Sequence, residues 1–148
     1  MPKVSSRAAF LAGSADDVEA AFYEALQTGN IEQLMACWAH EDEVVCVHPG
    51  GGRLVGLAAI RASFEAMFAN GVIRAWPERV RRIDTMTSAV RHVLERIEVR
   101  TDEGPREALV IATNVYHKTT DGWKMVVHHA SPATESELQE VMQTQVLH

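Results

Sequence analysis

The stretch Trp123-Lys124-Met125-Val126-Val127-His128-His129-Ala130-Ser131-Pro132 decides the fold of this chain. The turn dipeptide Asp121-Gly122 and a strand-like run at residues 108–118 precede it, and together they predict a β-hairpin. Neighbouring residues of a strand point to opposite faces, so one of His128 and His129 should face the core side of the sheet. An imidazole there is either part of a small-molecule site or a structural histidine that bonds within the sheet.

Helices are predicted ahead of this hairpin. In the first, Ser14 or Asp16 is placed to cap a segment whose apolar residues recur at helical spacing, and Gly29 ends it. Two more helices and one short strand follow by the same criteria. The predicted bounds are about 16–28, 31–38 and 57–70 for the helices and 44–48 for the strand.

From residue 72 onward the pattern changes to extended segments. Four antiparallel strands are predicted at 73–85, 89–101, 108–118 and 123–131, joined by short polar turns. The fold class is therefore α+β, because helices are needed to cover one face of the sheet. Three segments are expected along the chain, namely a mobile lead-in at 1–15, one domain at 16–133 and a tail with weak helical spacing at 134–148.

Composition limits the classes of function. The chain has 148 residues with 47% hydrophobic and 23% charged residues, which suits one soluble domain with one core. A net charge of −6 argues against a nucleic-acid surface, and the short run of arginines at 74–82 has acidic neighbours, as in a solvated strand face. No run approaches the ~18 apolar residues of a membrane span. With no secretory pattern at residues 1–13, a cytoplasmic location and no membrane partner are expected.

The cysteines and histidines form no metal-ligand motif. Cys37 and Cys46 lie in apolar surroundings, which predicts two small buried hydrophobic side chains. The seven histidines show neither helical i, i+4 spacing nor a compact ligand motif. We therefore predict no metal site and no cofactor.

The order of the elements and three local motifs resemble the nuclear transport factor 2-like superfamily. Within it, the chain is similar to the ketosteroid-isomerase-like and polyketide-cyclase-like (SnoaL-like) branch over roughly residues 16–133. The motifs are Trp38 followed by an acidic stretch and Val45-Cys46-Val47-His48-Pro49-Gly50-Gly51, then Leu54-Val55-Gly56 before Ala59-Ile60-Arg61, and finally Ala112-Thr113-Asn114-Val115-Tyr116 paired with residues 122–132.

This resemblance implies a cone-shaped, curved antiparallel sheet covered by three N-terminal helices, a cystatin-like α+β roll that encloses an apolar pocket. It also implies a homodimer joined through the outer face of the sheet. It brings no catalytic set, because the carboxylate base and proton-donating acid of the isomerase-like members have no assignable counterpart. Asp84 and Glu95 lie on strands, yet either side chain could equally face water.

The hairpin register predicts which side chains share the pocket. With the Asp121-Gly122 pair at the centre of the turn, Asn114 opposes His129. Trp123 belongs to the same face as His129 and prefers cover, whereas the other face carries a lysine. The Trp123 face is therefore predicted to be the inner one, and it includes Tyr116. A turn longer by one residue would change this grouping.

His129 is the predicted catalytic residue. The ordinary pKa of a histidine, about 6.5, lets a small environmental shift make it an acid or a base. The alternative is that His129 and Asn114 only satisfy each other's hydrogen bonds. His128 is predicted to face outward, into a dimer interface.

Further ligand-binding residues are expected at the edge of the pocket. His48 ends the first strand beside a glycine-rich turn, where the backbone allows close approach. Asn114 and Tyr116 would orient the substrate, although Tyr116 is also suited to be a core ring. Trp38 and Trp76 are candidates for aromatic walls, and core packing is the alternative for Trp38.

Two functions from different classes fit these residues. The first is a small-molecule-binding domain with a partly enclosed pocket for an apolar or amphipathic ligand; as an enzyme it would catalyse isomerisation, dehydration or cyclisation without a cofactor. The second is a non-catalytic dimeric binding or adaptor module. The missing base–acid pair favours the second function, and a pocket that carries a histidine favours a ligand.

Overall fold

The computed structural model describes residues 13–147, with all side chains except those at positions 100, 101, 142 and 144–147. Most of the predicted lead-in therefore lies outside the described residues. The elements within this range confirm the α+β class. They are α1 Ala15–Thr28, α2 Ile31–Ala36, β1 Val45–Val47, β2 Arg53–Val55, α3 Leu57–Phe68, β3 Arg74–Asp84, β4 Ser88–Thr101, β5 Gly104–Thr119, β6 Gly122–Pro132 and α4 Glu135–Leu147.

The six strands form one curved, unclosed sheet in the order β2-β1-β6-β5-β4-β3. Successive strands from β3 to β6 pair antiparallel, as predicted, while β1 pairs parallel with β6. Strand β3 forms an edge and carries a bulge between Glu78 and Arg81, where Arg79 has a φ of 48°. Such bulges bend a strand and increase its twist, and they contribute to the curvature of the sheet.

Helix α1 lies against the concave face of the sheet. Its N-cap is Ser14, whose side chain accepts from the backbone of Asp17, and it ends at Gly29 in the left-handed conformation with a φ of 67°. Its apolar stripe is fully buried, as Val18 and Phe22 show. We call the face of the sheet that α1 covers the inner face, because the hydrophobic core lies there.

The turn between β5 and β6 differs from the prediction by one residue. Thr119 pairs with Gly122, so the two central residues of the turn are Thr120 and Asp121 rather than Asp121 and Gly122. The side chain of Thr119 stabilises this turn by bonding to the carbonyl of Gly122 at 2.7 Å and accepting from the backbone of Asp121. Local side-chain bonds of this kind compete with the Asp-Gly preference that the sequence suggests.

A bulge in β6 then reverses the predicted facing of the two histidines. Val115 pairs with Val127 and the next residue of β5 pairs with Met125, which leaves Val126 as the extra residue. Since one inserted residue moves all later side chains to the opposite face, His128 is on the inner face and is 4% exposed, whereas His129 is exposed. The predictions that His129 faces inward and His128 outward are therefore wrong.

The tail forms helix α4 and packs on the body of the domain. Ala133 bonds through its backbone to Leu109 of β5 at 3.0 Å, and Val141 of α4 is 6% exposed. A groove of about 410 Å³ lies between the helix and β4–β5, lined among others by Leu109 and Leu138. Within residues 13–147, no helix combines the length and the apolar character that a transmembrane span requires.

Candidate functional site

Six polar side chains from four elements meet on the inner face of the sheet. All are buried, and each is hydrogen-bonded to another member of the set, as buried polar groups require. We call this set the inner polar chain. Its members are Glu19 and Tyr23 of α1, Glu95 of β4, Asn114 and Tyr116 of β5, and His128 of β6.

One end of the inner polar chain is a carboxyl group bonded to a phenol. The hydroxyl of Tyr23 donates to Glu95 Oε2 at 2.6 Å. Burial raises the pKa of Glu95 from 4.5 to about 7, although the bond from Tyr23 acts in the opposite direction. Glu95 is therefore a buried carboxyl whose pKa is close to neutral pH, a property common among catalytic bases.

Asn114 occupies the centre of the inner polar chain. Its amide nitrogen Nδ2 donates to the hydroxyl oxygen of Tyr23 at 3.0 Å and lies 3.5 Å from Glu19 Oε2. Its oxygen Oδ1 lies 2.6 Å from Nδ1 of His128. The amide thus connects the phenol–carboxyl end of the chain with the histidine.

The imidazole of His128 is uncharged. Burial lowers its pKa to about 3, and the neighbouring His48 and His129 add to this effect. The ring centroid lies 5.1 Å from that of Phe22, so one side of the imidazole faces an apolar group.

A second carboxyl group, Glu19, lies beside Asn114. It accepts from the hydroxyl of Tyr116 at 2.8 Å. Burial raises the pKa of Glu19, while the bonds from Tyr116 and Asn114 and the charge of Arg91 partly oppose the change. Glu19 and Tyr23 are four residues apart on α1, a spacing that places both side chains on one face of the helix.

The buried cation near this site is already paired. Arg91 of β4 is 4% exposed and bonds through Nε to Asp16 at 3.1 Å and through Nη1 to Asp84 at 2.7 Å. The two carboxylates are about half exposed, so the pairs lie where the inner face meets solvent. Arg91 thus forms ion pairs with both carboxylates at one end of the inner face.

A half-buried histidine lies on the β1 side of the inner face. His48 Nε2 is 2.9 Å from Ser63 Oγ and 3.8 Å from Cys46 Sγ, and its ring packs edge-on against Phe64 at 4.9 Å between centroids. Burial lowers the pKa of His48 and raises that of the Cys46 thiol to about 12. Cys46 is therefore a protonated, unreactive thiol at neutral pH. Among the described residues, no three histidine, cysteine or acidic side chains are grouped to hold a metal ion.

The sequence profile of the SnoaL-like domain family matches residues 16–135, which covers the helices α1–α3 and the whole sheet. The chain is a SnoaL-like domain. It thereby belongs to the nuclear transport factor 2-like superfamily, as the sequence motifs predicted. A search of curated proteins found no match.

Solved structures similar to this SnoaL-like domain carry two different functional descriptions. A candidate calcium/calmodulin-dependent protein kinase type II association domain from Thiobacillus denitrificans is 38% identical, covers 82% of this chain and 96% of its own, and has a TM-score of 0.74. A candidate dehydratase of the same superfamily from Streptomyces avermitilis is 32% identical over 78% and 91% of the two chains, with a TM-score of 0.70. A protein with a cystatin-like fold from Caulobacter vibrioides, 14% identical over 84% and 91% with a TM-score of 0.71, supports the fold alone.

The structure of this SnoaL-like domain brings together only part of the predicted site. Asn114 and Tyr116 are in the inner polar chain, and His48 lies next to it at the half-buried edge. Trp38 is 1% exposed in the core, and its Nε1 has no acceptor among the described residues. Trp76 is exposed on the face of β3 opposite to buried Ala75, so it does not reach the inner face. His129, the predicted catalytic residue, is on the outer face.

The sequence interpretation missed three acidic or phenolic groups of the inner polar chain. Glu19 and Tyr23 flank the apolar stripe of α1 at i, i+4 spacing. This spacing is the signal that could have included them in the predicted site. Glu95 shares its strand face with Val93 and Ile97, because residues two apart on a strand point the same way. The alternate residues of β4 are just as mixed in polarity, so the pattern alone does not select this face.

Proposed function

We propose that this domain binds a small molecule at the inner face and transfers a proton on it without a cofactor, in an isomerisation, dehydration or cyclisation. The observation that carries the proposal is Glu95, a carboxyl 4% exposed, bonded to Tyr23 and with a pKa of about 7. A base is most effective when its pKa is near the operating pH, because it is then both ionised and able to hold a proton.

The neighbours of Glu95 supply the other elements of such chemistry. Tyr23 donates to Glu95 and accepts from Asn114, so these two buried side chains hold the carboxyl group in one orientation. His48 is followed directly by the exposed turn at 49–52, and it is one of the neighbours that lower the pKa of His128. The half-buried His48 therefore connects the surface of the domain with the inner polar chain, and we assign the entry of the ligand to this side.

Hydrogen exchange at carbon tests this proposal without knowledge of the natural substrate. The protein would be incubated in D₂O with small carbonyl compounds, such as cyclohexanone, 2-cyclohexenone and 4-hydroxy-2-butanone, and deuterium uptake beside the carbonyl followed by NMR. We expect wild type to accelerate exchange of at least one compound, with a rate that rises as pH passes through about 7 and the carboxylate forms. Glu95→Gln should lower that rate by about 100-fold or more.

Glu98→Gln is the matched control, because Glu98 is on the same strand, on the opposite face, and pairs with Arg74 near the surface. This variant should exchange at the wild-type rate. The proposal fails if wild type accelerates no compound, or if Glu95→Gln retains the wild-type rate.

A non-catalytic oligomerisation module is the second candidate function. The similarity to a candidate kinase association domain at 38% identity favours it, as does a pair of half-buried valines, Val115 and Val127, on the outer face of the sheet. We propose that this face joins two copies of the chain, as predicted from the sequence, although through Val127 rather than His128.

Val127→Glu tests the outer-face interface. A charge placed at the centre of an apolar contact leaves an ion without a partner, so the variant should sediment as a monomer at concentrations where wild type is a dimer. Thr120→Glu, in the exposed hairpin turn, is the control and should behave as wild type. A Val127→Glu dimer, or a wild-type monomer, would contradict the proposed interface.

A further inference from the structure

We infer that Asn114 is a positioning residue that fixes the tautomer of His128, so that Nε2 of this ring accepts a hydrogen bond from an uncharged ligand with a hydroxyl or N–H group. The ligand class rests on the proposed function, because it requires binding at the inner face. The assignment of the tautomer does not rest on the proposed function, because it follows from contacts within the protein alone.

The orientation of the Asn114 amide follows from counting protons. When Glu95 is ionised, the one proton of the Tyr23 hydroxyl lies in the 2.6 Å bond to this carboxylate. The oxygen of Tyr23 must therefore accept from Asn114, which places the amide nitrogen on that side. Glu19 Oε2, an acceptor 3.5 Å from the same nitrogen, favours the same orientation. The opposite orientation would direct the amide oxygen at two acceptors.

The tautomer of His128 follows from this orientation. With Oδ1 of Asn114 facing the ring at 2.6 Å, Nδ1 must carry the proton and donate it. The ring is neutral, so Nε2 has no proton and presents a lone pair. Nε2 has no hydrogen-bond partner among the described residues, and His128 is 4% exposed.

The charges around His128 select against an anionic ligand. The inner polar chain contributes two carboxyl groups, Glu19 and Glu95. The nearby cation, Arg91, bonds to two carboxylates of its own, and burial lowers the pKa of His48, which favours its neutral form. The ring of Phe22 beside His128 offers an apolar contact. A neutral molecule with a small hydrophobic body and one hydrogen-bond donor fits these groups best.

Nitrogen-15 NMR of the histidine rings tests the tautomer directly in the ligand-free protein. We expect Nδ1 of His128 to show the shift of a protonated nitrogen and Nε2 that of an unprotonated one at pH 8, where Glu95 is ionised. Asn114→Asp keeps an acceptor for Nδ1 and should keep this tautomer. Asn114→Leu removes the acceptor, and the proton should move to Nε2. A protonated Nε2 in wild type would overturn the inference, as would an unchanged tautomer in Asn114→Leu.

Phenol and benzoate test the ligand class, since they share one ring and differ in charge and in the donor. Phenol should shift the His128 Nε2 resonance in a saturable manner, and benzoate at the same concentration should not. His128→Phe should weaken phenol binding about tenfold, as expected for one lost hydrogen bond, while His129→Phe on the outer face should leave it unchanged.

Benzoate binding as tight as that of phenol, or no phenol binding, would overturn the ligand class. The two proposals fail separately. If phenol binds to His128 while Glu95→Gln leaves carbon exchange unchanged, the proton-transfer function is wrong and the acceptor site stands.

Discussion

Replacing Glu95 by Gln is expected to change the free energy of unfolding differently at pH 8 and at pH 4. The change should be about 3 kcal/mol more stabilising at pH 8. Burial raises the pKa of Glu95 from 4.5 to about 7, a difference of about 2.5 units at 1.36 kcal/mol each. A raised pKa means that the folded state binds the proton more tightly than the unfolded state. The protonated form thus contributes stability that is fully present below pH 4.5 and is lost as pH rises through 7.

Chemical denaturation of both proteins from pH 4 to pH 8 measures this effect. The difference between the two free energies of unfolding isolates Glu95, because Glu19 and His128 titrate in both proteins. His128 acts with the opposite sign, since its lowered pKa of about 3 gives stability that is lost as pH falls. A curve for Glu95→Gln parallel to that of wild type would show that the carboxyl group is not desolvated.

Replacing Asn114 by Leu is expected to destabilise the domain by about 3 kcal/mol. The two side chains are similar in size, so little packing is lost. The change leaves Nδ1 of His128 and the hydroxyl oxygen of Tyr23 without their hydrogen-bond partner, and unsatisfied buried polar groups cost about 1–3 kcal/mol each. Denaturant unfolding at pH 7 measures the effect. Thr113→Val is the control, since Thr113 is half-buried on the outer face.

A double-mutant cycle distinguishes the hydrogen bond from general damage to the core. His128→Leu in the Asn114→Leu background removes both partners of the bond, which costs less than the sum of the single changes because neither group remains unsatisfied. We expect a coupling energy of about 1–2 kcal/mol. Additive effects would mean that the 2.6 Å contact between Asn114 and His128 contributes no stability.

Local patterns in the sequence were sufficient for the fold and for two of the six members of the inner polar chain. The periodicity of α1 and the alternation of the strands depend on nearest neighbours, and Gly29 ends its helix where a left-handed residue is needed. The placement of Asn114 and Tyr116 on one face followed from strand alternation within β5 alone.

The other four members depended on contacts between distant segments. The facing of His128 is set by the extra residue Val126, which the Asp-Gly signal does not reveal. Glu95 is bonded to Tyr23, 72 residues earlier in the chain, and its raised pKa arises from the burial that this packing produces. Neither strand alternation nor composition contains that information.

The bulge at Val126 has a consequence for how this domain tolerates insertions and deletions. The two adjacent histidines differ in chemistry only because one surplus residue separates them from the hairpin turn. Removing that residue would exchange a solvated imidazole for an enclosed one without altering any functional side chain. The number of residues in β6 thus determines which side chains face the site. Relatives that lack the surplus residue should carry their polar groups at shifted positions.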